Sequence, residues 1–239
     1  MSSPQTQAYD AKLTTLLEAL WGDGWLSPGG EAEVALVLAG VDLTGKRVLD
    51  VGCGSGGITL LLAERFGAGE VVALDVEPEV VAAAQRRAAE RGLDRRVRFE
   101  AIAPGPLTMA DASFDVVFSK DAIVHIEDKH AITRELLRVL RPGGTVAMSD
   151  WMAGSDAPAS PELQRYLELE GLGFGLASPD SYFAAFRAAG FEQIAYRDEQ
   201  QARSRKAVDD LYEIDRELGF DQIDGPPPGK STYRGGGSR

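Results

Sequence analysis

The chain has 239 residues, 44% of them hydrophobic, which is enough to bury a sizeable core in one domain carrying a lid. Its formal net charge of -12 repels phosphate backbones and anionic membrane surfaces, so nucleic acid is not an expected partner and small-molecule chemistry is favoured. The single cysteine, Cys53, argues against a disulfide framework or a cysteine-rich zinc site, and an unpaired thiol fits a reducing, cytoplasmic setting.

The chain opens on MSSPQTQAYDAK, which lacks a basic-then-apolar signal. No apolar run reaches the roughly 18 residues that cross a bilayer, so no membrane partner is expected. Residues 8–40 read as helices interrupted by WGDGWLSPGG, whose Gly and Pro mark a structured turn; residues 1–40 are read as an N-terminal helical lid. Short β-rich runs then alternate with helical patterns. The runs are RVLDVG (47–52), EVVALDV (70–76), RVRFEAI (96–102), FDVVFS (114–119), GTVAMSD (144–150) and, more weakly, EQIAYRD (192–198). Between them ITLLLAERFG, PEVVAAAQRRAAERGL and KHAITRELLRVLRPGG carry apolar residues at helical spacing and end at Gly or before Pro-Gly-Gly. These are βα units, and they predict an α/β, Rossmann-like, doubly wound and mostly parallel sheet within a core spanning 41–200. Residues 151–190 hold two further helical patterns and form a second lid candidate. Residues 201–239 read as one amphipathic helix followed by a Pro- and Gly-rich disordered tail, with no strand legible there.

In VLDVGCGSGGITL, Gly52, Gly54 and Gly56 follow a strand and precede a helix, so the backbone can turn tightly and approach a ligand. With Gly57 the stretch also satisfies G-x-G-x-x-G, and Asp75 lies about 20 residues on, where a carboxylate takes ribose hydroxyls; by spacing alone a nicotinamide dinucleotide is viable. Asp50 shifts the balance. A carboxylate two residues before the first glycine opposes pyrophosphate and favours the ammonium and sulfonium of S-adenosylmethionine. Its structural alternative is a bond to the loop amides.

VLDVGCGSGG, Asp75 closing strand two, FDVVFS and LLRVLRPGGTVAMSD together resemble the class I S-adenosylmethionine-dependent methyltransferases. The resemblance implies the methionine end of the cofactor over Gly52, Gly54 and Gly56, and the ribose on Asp75 beside Val76. It also implies the adenine near Ile102 and Ala103, and Ser119 at the cofactor edge of strand four. Many members place an acid after strand three, where this chain has FEAIAPGP.

A narrower resemblance joins WGDGWLSPGG to SKDAIVHIEDKHA. Together they are similar to the phosphoethanolamine N-methyltransferases and to small-amine enzymes acting on sarcosine and dimethylglycine. That resemblance implies Tyr9 and His125 as a catalytic pair, Asp121 in the substrate pocket, and Leu26 and Ser27 closing over the cofactor. A neutral imidazole just past strand four can relieve an amine of its proton before methyl transfer. Where the phosphate-gripping Arg and Tyr of those enzymes would fall, a gapless count places Glu170 and Leu172. The expected acceptor is therefore an unphosphorylated amine or amino acid, with Asp121, Glu170 and the indole of Trp151 favouring a cationic nitrogen. His125 and His130 lack a ligand-like carboxylate pattern, so no metal is expected. The chain is expected to act as a monomer or homodimer.

Overall fold

A computed structural model describes residues 11–156, 161, 164, 165 and 173–197. Residues 1–195 form one compact unit; of the second, 196–239, only Tyr196 and Arg197 are described.

Two helices lead, α1 (Ala11–Trp21) and α2 (Gly30–Val37), followed by β1 (Arg47–Val51), α3 (Gly57–Glu64), β2 (Glu70–Asp75), α4 (Pro78–Glu90) and β3 (Val97–Ala101). Then come β4 (Phe114–Lys120), a single 3-10 turn over Ile123–His125, α5 (Lys129–Val139), β5 (Leu140–Ser149) and α6 (Pro179–Ala189). Asp128 caps α5 by accepting from the Ala131 amide at 2.8 Å, and Ser178 caps α6 by accepting from the Ser181 amide at 3.1 Å. Gly190 closes α6 in the left-handed region at φ 112°, where a side chain would be strained.

The strands pair in the order β3-β2-β1-β4-β5, all parallel, with Leu49 of β1 opposite both Val72 of β2 and Val117 of β4. Strands buried on both faces read as continuous apolar runs, and VVAL in β2 and VVF in β4 do so. One face packs Val48, Val71, Phe99 and Phe118 against Leu60, Val81 and Ala84. The other packs Leu49, Leu74, Phe114 and Val117 against Ile132, Leu136 and Tyr182. This is the predicted Rossmann-like parallel sheet. Strand order reverses between β1 and β4, which opens a crevice at their carboxyl ends.

Two expectations change. Residues 192–197 form no strand, so the sheet has five strands among the described residues. The strand predicted from 144 begins at Leu140, which pairs with Phe114 ahead of an irregularity: Val116 next pairs with Thr145, and Gly143 turns at φ 78° between them. The helix and tail expected over 201–239 lie outside the described residues.

Candidate active site

The crevice is a cavity of about 770 Å³ whose walls come from the glycine loop after β1, the ends of β2 and β3, the segment after β4, and the turn between α1 and α2. That volume lies within the range of cavities that hold cofactors and drug-sized ligands.

The glycine loop is shaped by its neighbours. The amides of Gly52 and Cys53 donate to the Leu74 carbonyl at 2.8 and 3.0 Å. Gly52 sits at φ 80°, and a Cβ there would lie 2.1 Å from that of Ala122, so both conformation and space require glycine. The Gly54 amide donates to Asp75 Oδ2 at 2.8 Å, while Asp75 Oδ1 accepts from the Glu77 amide at 3.0 Å. Burial pushes the Asp75 carboxyl up, and these amides pull it back. Asp75, Val76, Ile102 and Ala103 share the cavity wall with Gly52 and Gly54.

The turn over 22–29 forms the roof. The Gly57 amide donates to the Gly24 carbonyl at 2.9 Å, and a Cβ on Gly57 would lie 2.5 Å from that oxygen. Gly57 therefore admits the N-terminal turn rather than a pyrophosphate. Arg87 of α4 ties the same turn to the loop, reaching Glu18 at 2.6 Å, Asp23 at 2.9 Å and the Ser55 carbonyl at 3.0 Å. Leu26 lies over Gly54, and Ser27 lines the cavity beside it.

Beyond β4, Lys120 lies under this roof with its side chain 1% exposed. Its ammonium donates to Ser27 Oγ at 2.9 Å, to the Pro28 carbonyl at 2.8 Å and to Asp121 Oδ2, with Glu33 Oε2 at 3.3 Å. Asp121 adopts φ 54°, uncommon for a residue with a Cβ, and its amide donates to the Ser149 carbonyl at 2.9 Å. His125 ends the 3-10 turn and lines the cavity, with its ring centroid 5.0 Å from that of Phe174. The Gly175 amide donates to the Val124 carbonyl at 2.7 Å and so seats residues 173–178 beside this histidine. Farther back, Tyr182 donates its hydroxyl to Asp150 Oδ2 at 2.6 Å, and the Lys129 ammonium lies 5.4 Å over the Tyr182 ring. Burial pushes the Asp150 carboxyl up to about 6 despite that bond, and it lowers the Lys129 ammonium.

Several sequence expectations are relocated. Asp50 does not face the cavity. It is 2% exposed, accepts from the Thr59 hydroxyl at 2.6 Å, and is pushed up to about 7 by burial. Side chains alternate along a strand, so Val51 takes the cavity side and Asp50 the α3 side. Gly56 caps α3 behind the wall, where a Cβ would lie 2.8 Å from Ala84 Cβ. Ser119 is fully buried and donates to the Val51 carbonyl at 2.8 Å, which stitches β4 to β1. Asp121 turns its carboxylate onto Lys120 instead of lining the cavity, and Trp151 is 43% exposed and also outside the walls. Tyr9 and Glu170 lie outside the described residues. Lys120 and Arg87 were not anticipated. A lysine adjoining the acidic residue at a strand end was the available signal for the first.

The walls fit S-adenosylmethionine. The glycine cradle leaves room that a Cβ would fill, Asp75 brings a carboxylate to the same wall, and the cationic wall residues among those described are Lys120 and Arg134. The amides of Gly52, Cys53, Gly54, Gly56 and Gly57 are bonded to Leu74, Asp75, Cys53 and Gly24 rather than directed at a phosphate. Among the described residues no group of three His, Cys, Asp or Glu is placed to hold a metal. No helix among them is long and apolar enough to cross a membrane.

Comparison with known proteins agrees with the fold. The profile of the family described as "Methyltransferase domain" matches residues 42–170. Phosphoethanolamine N-methyltransferase 3 of Arabidopsis thaliana is 32% identical over 84% of this chain and 40% of its own length. The 27-O-demethylrifamycin SV methyltransferase of Amycolatopsis mediterranei is 32% identical over 82% of this chain and 76% of its own. Phosphoethanolamine N-methyltransferase 2 of Haemonchus contortus, solved with phosphomonomethylethanolamine and S-adenosylhomocysteine, superposes with TM-score 0.80 and 25% identity, covering 92% of this chain and 51% of that one. The chain thus spans about two fifths of the length of the phosphoethanolamine enzyme from Arabidopsis thaliana.

Proposed function

The chain belongs to the S-adenosylmethionine-dependent methyltransferases, with S-adenosylmethionine as its cofactor, and from that premise we propose that it methylates the nitrogen of a small unphosphorylated amine or amino acid. The observation that carries the acceptor class is the charge of the cavity. Asp75, Glu77, Glu127, Asp128 and Glu135 line it against Lys120 and Arg134; Lys120 is engaged by Asp121, Glu33, Ser27 and Pro28, and Glu135 by Arg138, which leaves four carboxylates against Arg134. Such walls attract an ammonium and repel a phosphomonoester.

The bound cofactor supplies an electrophilic methyl group on a sulfonium. The backbone at Gly52 and Gly54 gives its methionine end room, Asp75 accepts from the ribose hydroxyls, and Ile102 and Ala103 flank the adenine. His125 accepts the proton of the incoming ammonium, which exposes the nitrogen lone pair for attack. Phe174, 5.0 Å away, holds the imidazole in place. Asp121 offsets the Lys120 ammonium behind the wall, so this lysine offers little attraction to an anionic acceptor. Tyr9 as the partner of His125 and Glu170 as an acceptor-binding residue rest on the resemblance alone, and both lie outside the described residues.

The test incubates the protein with S-adenosylmethionine and, separately, glycine, sarcosine, dimethylglycine, ethanolamine and phosphoethanolamine, reading products by mass with nitrogen-specific fragmentation. N-methylation of an unphosphorylated amine is expected; phosphoethanolamine as the sole methylated compound would sink the assignment. A second reading, transfer to oxygen, draws support from the rifamycin enzyme, which matches over 76% of its own length, and His125 could equally deprotonate an alcohol. Ethanolamine offers both atoms and decides between them.

A further inference from the structure

His125 stands on a 3-10 turn of three residues, Ile123–His125, and a turn that short cannot satisfy its own carbonyls. Lys129, the first residue of α5, answers them. It is 5% exposed and stands outside the cavity walls, and its ammonium donates to the Ile123 carbonyl at 2.8 Å and to the Ile126 carbonyl, with the Val124 carbonyl at 3.5 Å.

These oxygens bracket the histidine. The peptide unit before His125 is held at the Val124 carbonyl, which also accepts from the Gly175 amide at 2.7 Å, and at the His125 amide, which donates to the Ala122 carbonyl at 3.2 Å. The unit after it is held through the Ile126 amide, which donates to the Ile123 carbonyl at 2.9 Å. Peptide units are planar, so fixing the planes on both sides fixes the direction of the His125 Cα–Cβ bond. The ammonium is anchored in turn. It lies 5.4 Å over the ring of Tyr182, which is 2% exposed, and Tyr182 donates its hydroxyl to Asp150 Oδ2 at 2.6 Å. The start of α5, helix α6 and the end of β5 thus meet at one cation on the histidine turn. Burying an ammonium is costly, and an apolar side chain would fill the same space without that cost; what it could not do is donate to several carbonyls at once.

We propose that Lys129 is a positioning residue for His125: its ammonium fixes the turn that aims the imidazole at the acceptor, with Tyr182 and Asp150 seating the ammonium. The proposal rests on His125 as the acceptor's base and makes no demand on which amine is methylated.

Its test is a mutant cycle on the full chain, with kcat read for S-adenosylmethionine and each of glycine, sarcosine, dimethylglycine and ethanolamine. Lys129→Met should lower kcat about tenfold when His125 is present, as expected of a displaced base, and less than about twofold in a His125→Ala background. S-adenosylhomocysteine affinity should stay within about twofold of wild type. A lysine that only supports the fold would cost the same factor in both backgrounds, and that result overturns the proposal. Should Lys129→Met not fold, Lys129→Gln, which keeps N–H donors at a shorter reach, serves in the same cycle with the same pattern and a smaller loss expected. The ring signals of histidine-labelled protein give a readout that needs no acceptor, since the chain has only two histidines. Lys129→Met should shift and broaden the His125 signal while the exposed His130 keeps its own; an unchanged His125 signal also overturns the proposal. Wild type that methylates none of these amines would refute the acceptor reading, and the His125 signal would then decide this one alone.

Discussion

Two segments cover the carboxyl ends of the strands, and they are fastened differently: one to the glycine loop, α4 and the end of β4, the other to the histidine turn. The N-terminal turn over 22–29 is tied to the glycine loop by Gly57 on Gly24, to α4 by Arg87 on Asp23, with Arg87 also on Ser55 of the loop, and to the end of β4 by Lys120 on Ser27 and Pro28. The segment leading into α6 is tied instead to the histidine turn. Gly175 bonds Val124, Phe174 lies beside His125, and Asp156 accepts from the Ser178 amide and hydroxyl at 2.9 and 2.8 Å. In sequence both segments read as helical lid candidates. The difference in anchorage motivates the proposal that one cover serves cofactor binding and the other acceptor binding, and on that proposal damage to each should be felt on its own side.

The largest expected effect lies on the cofactor side. Gly52→Ala drives a Cβ into Ala122 from a left-handed backbone, and S-adenosylhomocysteine affinity should fall on the order of 100-fold. Affinity within about threefold of wild type would break the division. Across the site, His125→Ala should lower kcat about 100-fold while the S-adenosylhomocysteine dissociation constant stays put; equal loss of both would erase the distinction.

Next in size is a pH effect, which differs between the two sides. Asp50 under the cofactor loop is pushed up to about 7, and Asp150 at the root of the acceptor cover to about 6, both by burial. A carboxyl whose folded pKa is raised holds more protons folded than unfolded, so its contribution to stability is complete below the unfolded value near 4 and is lost as pH rises through the folded value. Urea unfolding should therefore show stability declining on the order of 1 kcal/mol per pH unit from each group. Asp50→Asn should remove the component that persists to about 7, and Asp150→Asn the one that ends near 6. A pH profile identical to wild type in both variants would contradict the burial assigned to these carboxyls. The smallest effect is Ser178→Ala, which removes the α6 cap and should cost about 1 kcal/mol. It should raise the acceptor KM and spare S-adenosylhomocysteine binding; the reverse pattern would reassign that cover.

The sheet was legible because parallel strands buried on both faces print as unbroken apolar runs, and the glycine loop because positive φ and close approach leave glycine little competition. Asp50 misled the reading because its distance from the glycines was legible and its face was not: one step along β1 moves a side chain from the cavity to α3. Trp151 failed for a similar reason, since its place after β5 says nothing of its direction. Gly57 looked like the third glycine of a dinucleotide motif, and its real constraint, the Gly24 carbonyl, comes from 33 positions earlier in the chain. Lys120 was hidden for the same reason, because its partners Ser27, Pro28 and Glu33 are remote in sequence.

The central claim is methyl transfer to an unphosphorylated amine nitrogen. A one-pot competition tests it most directly, with methyl-labelled S-adenosylmethionine supplied to an equimolar mixture of phosphoethanolamine, ethanolamine, glycine, sarcosine and dimethylglycine. The account predicts label on the nitrogen of an unphosphorylated member, with phosphoethanolamine disfavoured by the carboxylate-rich walls. Label accumulating chiefly on phosphoethanolamine would contradict it.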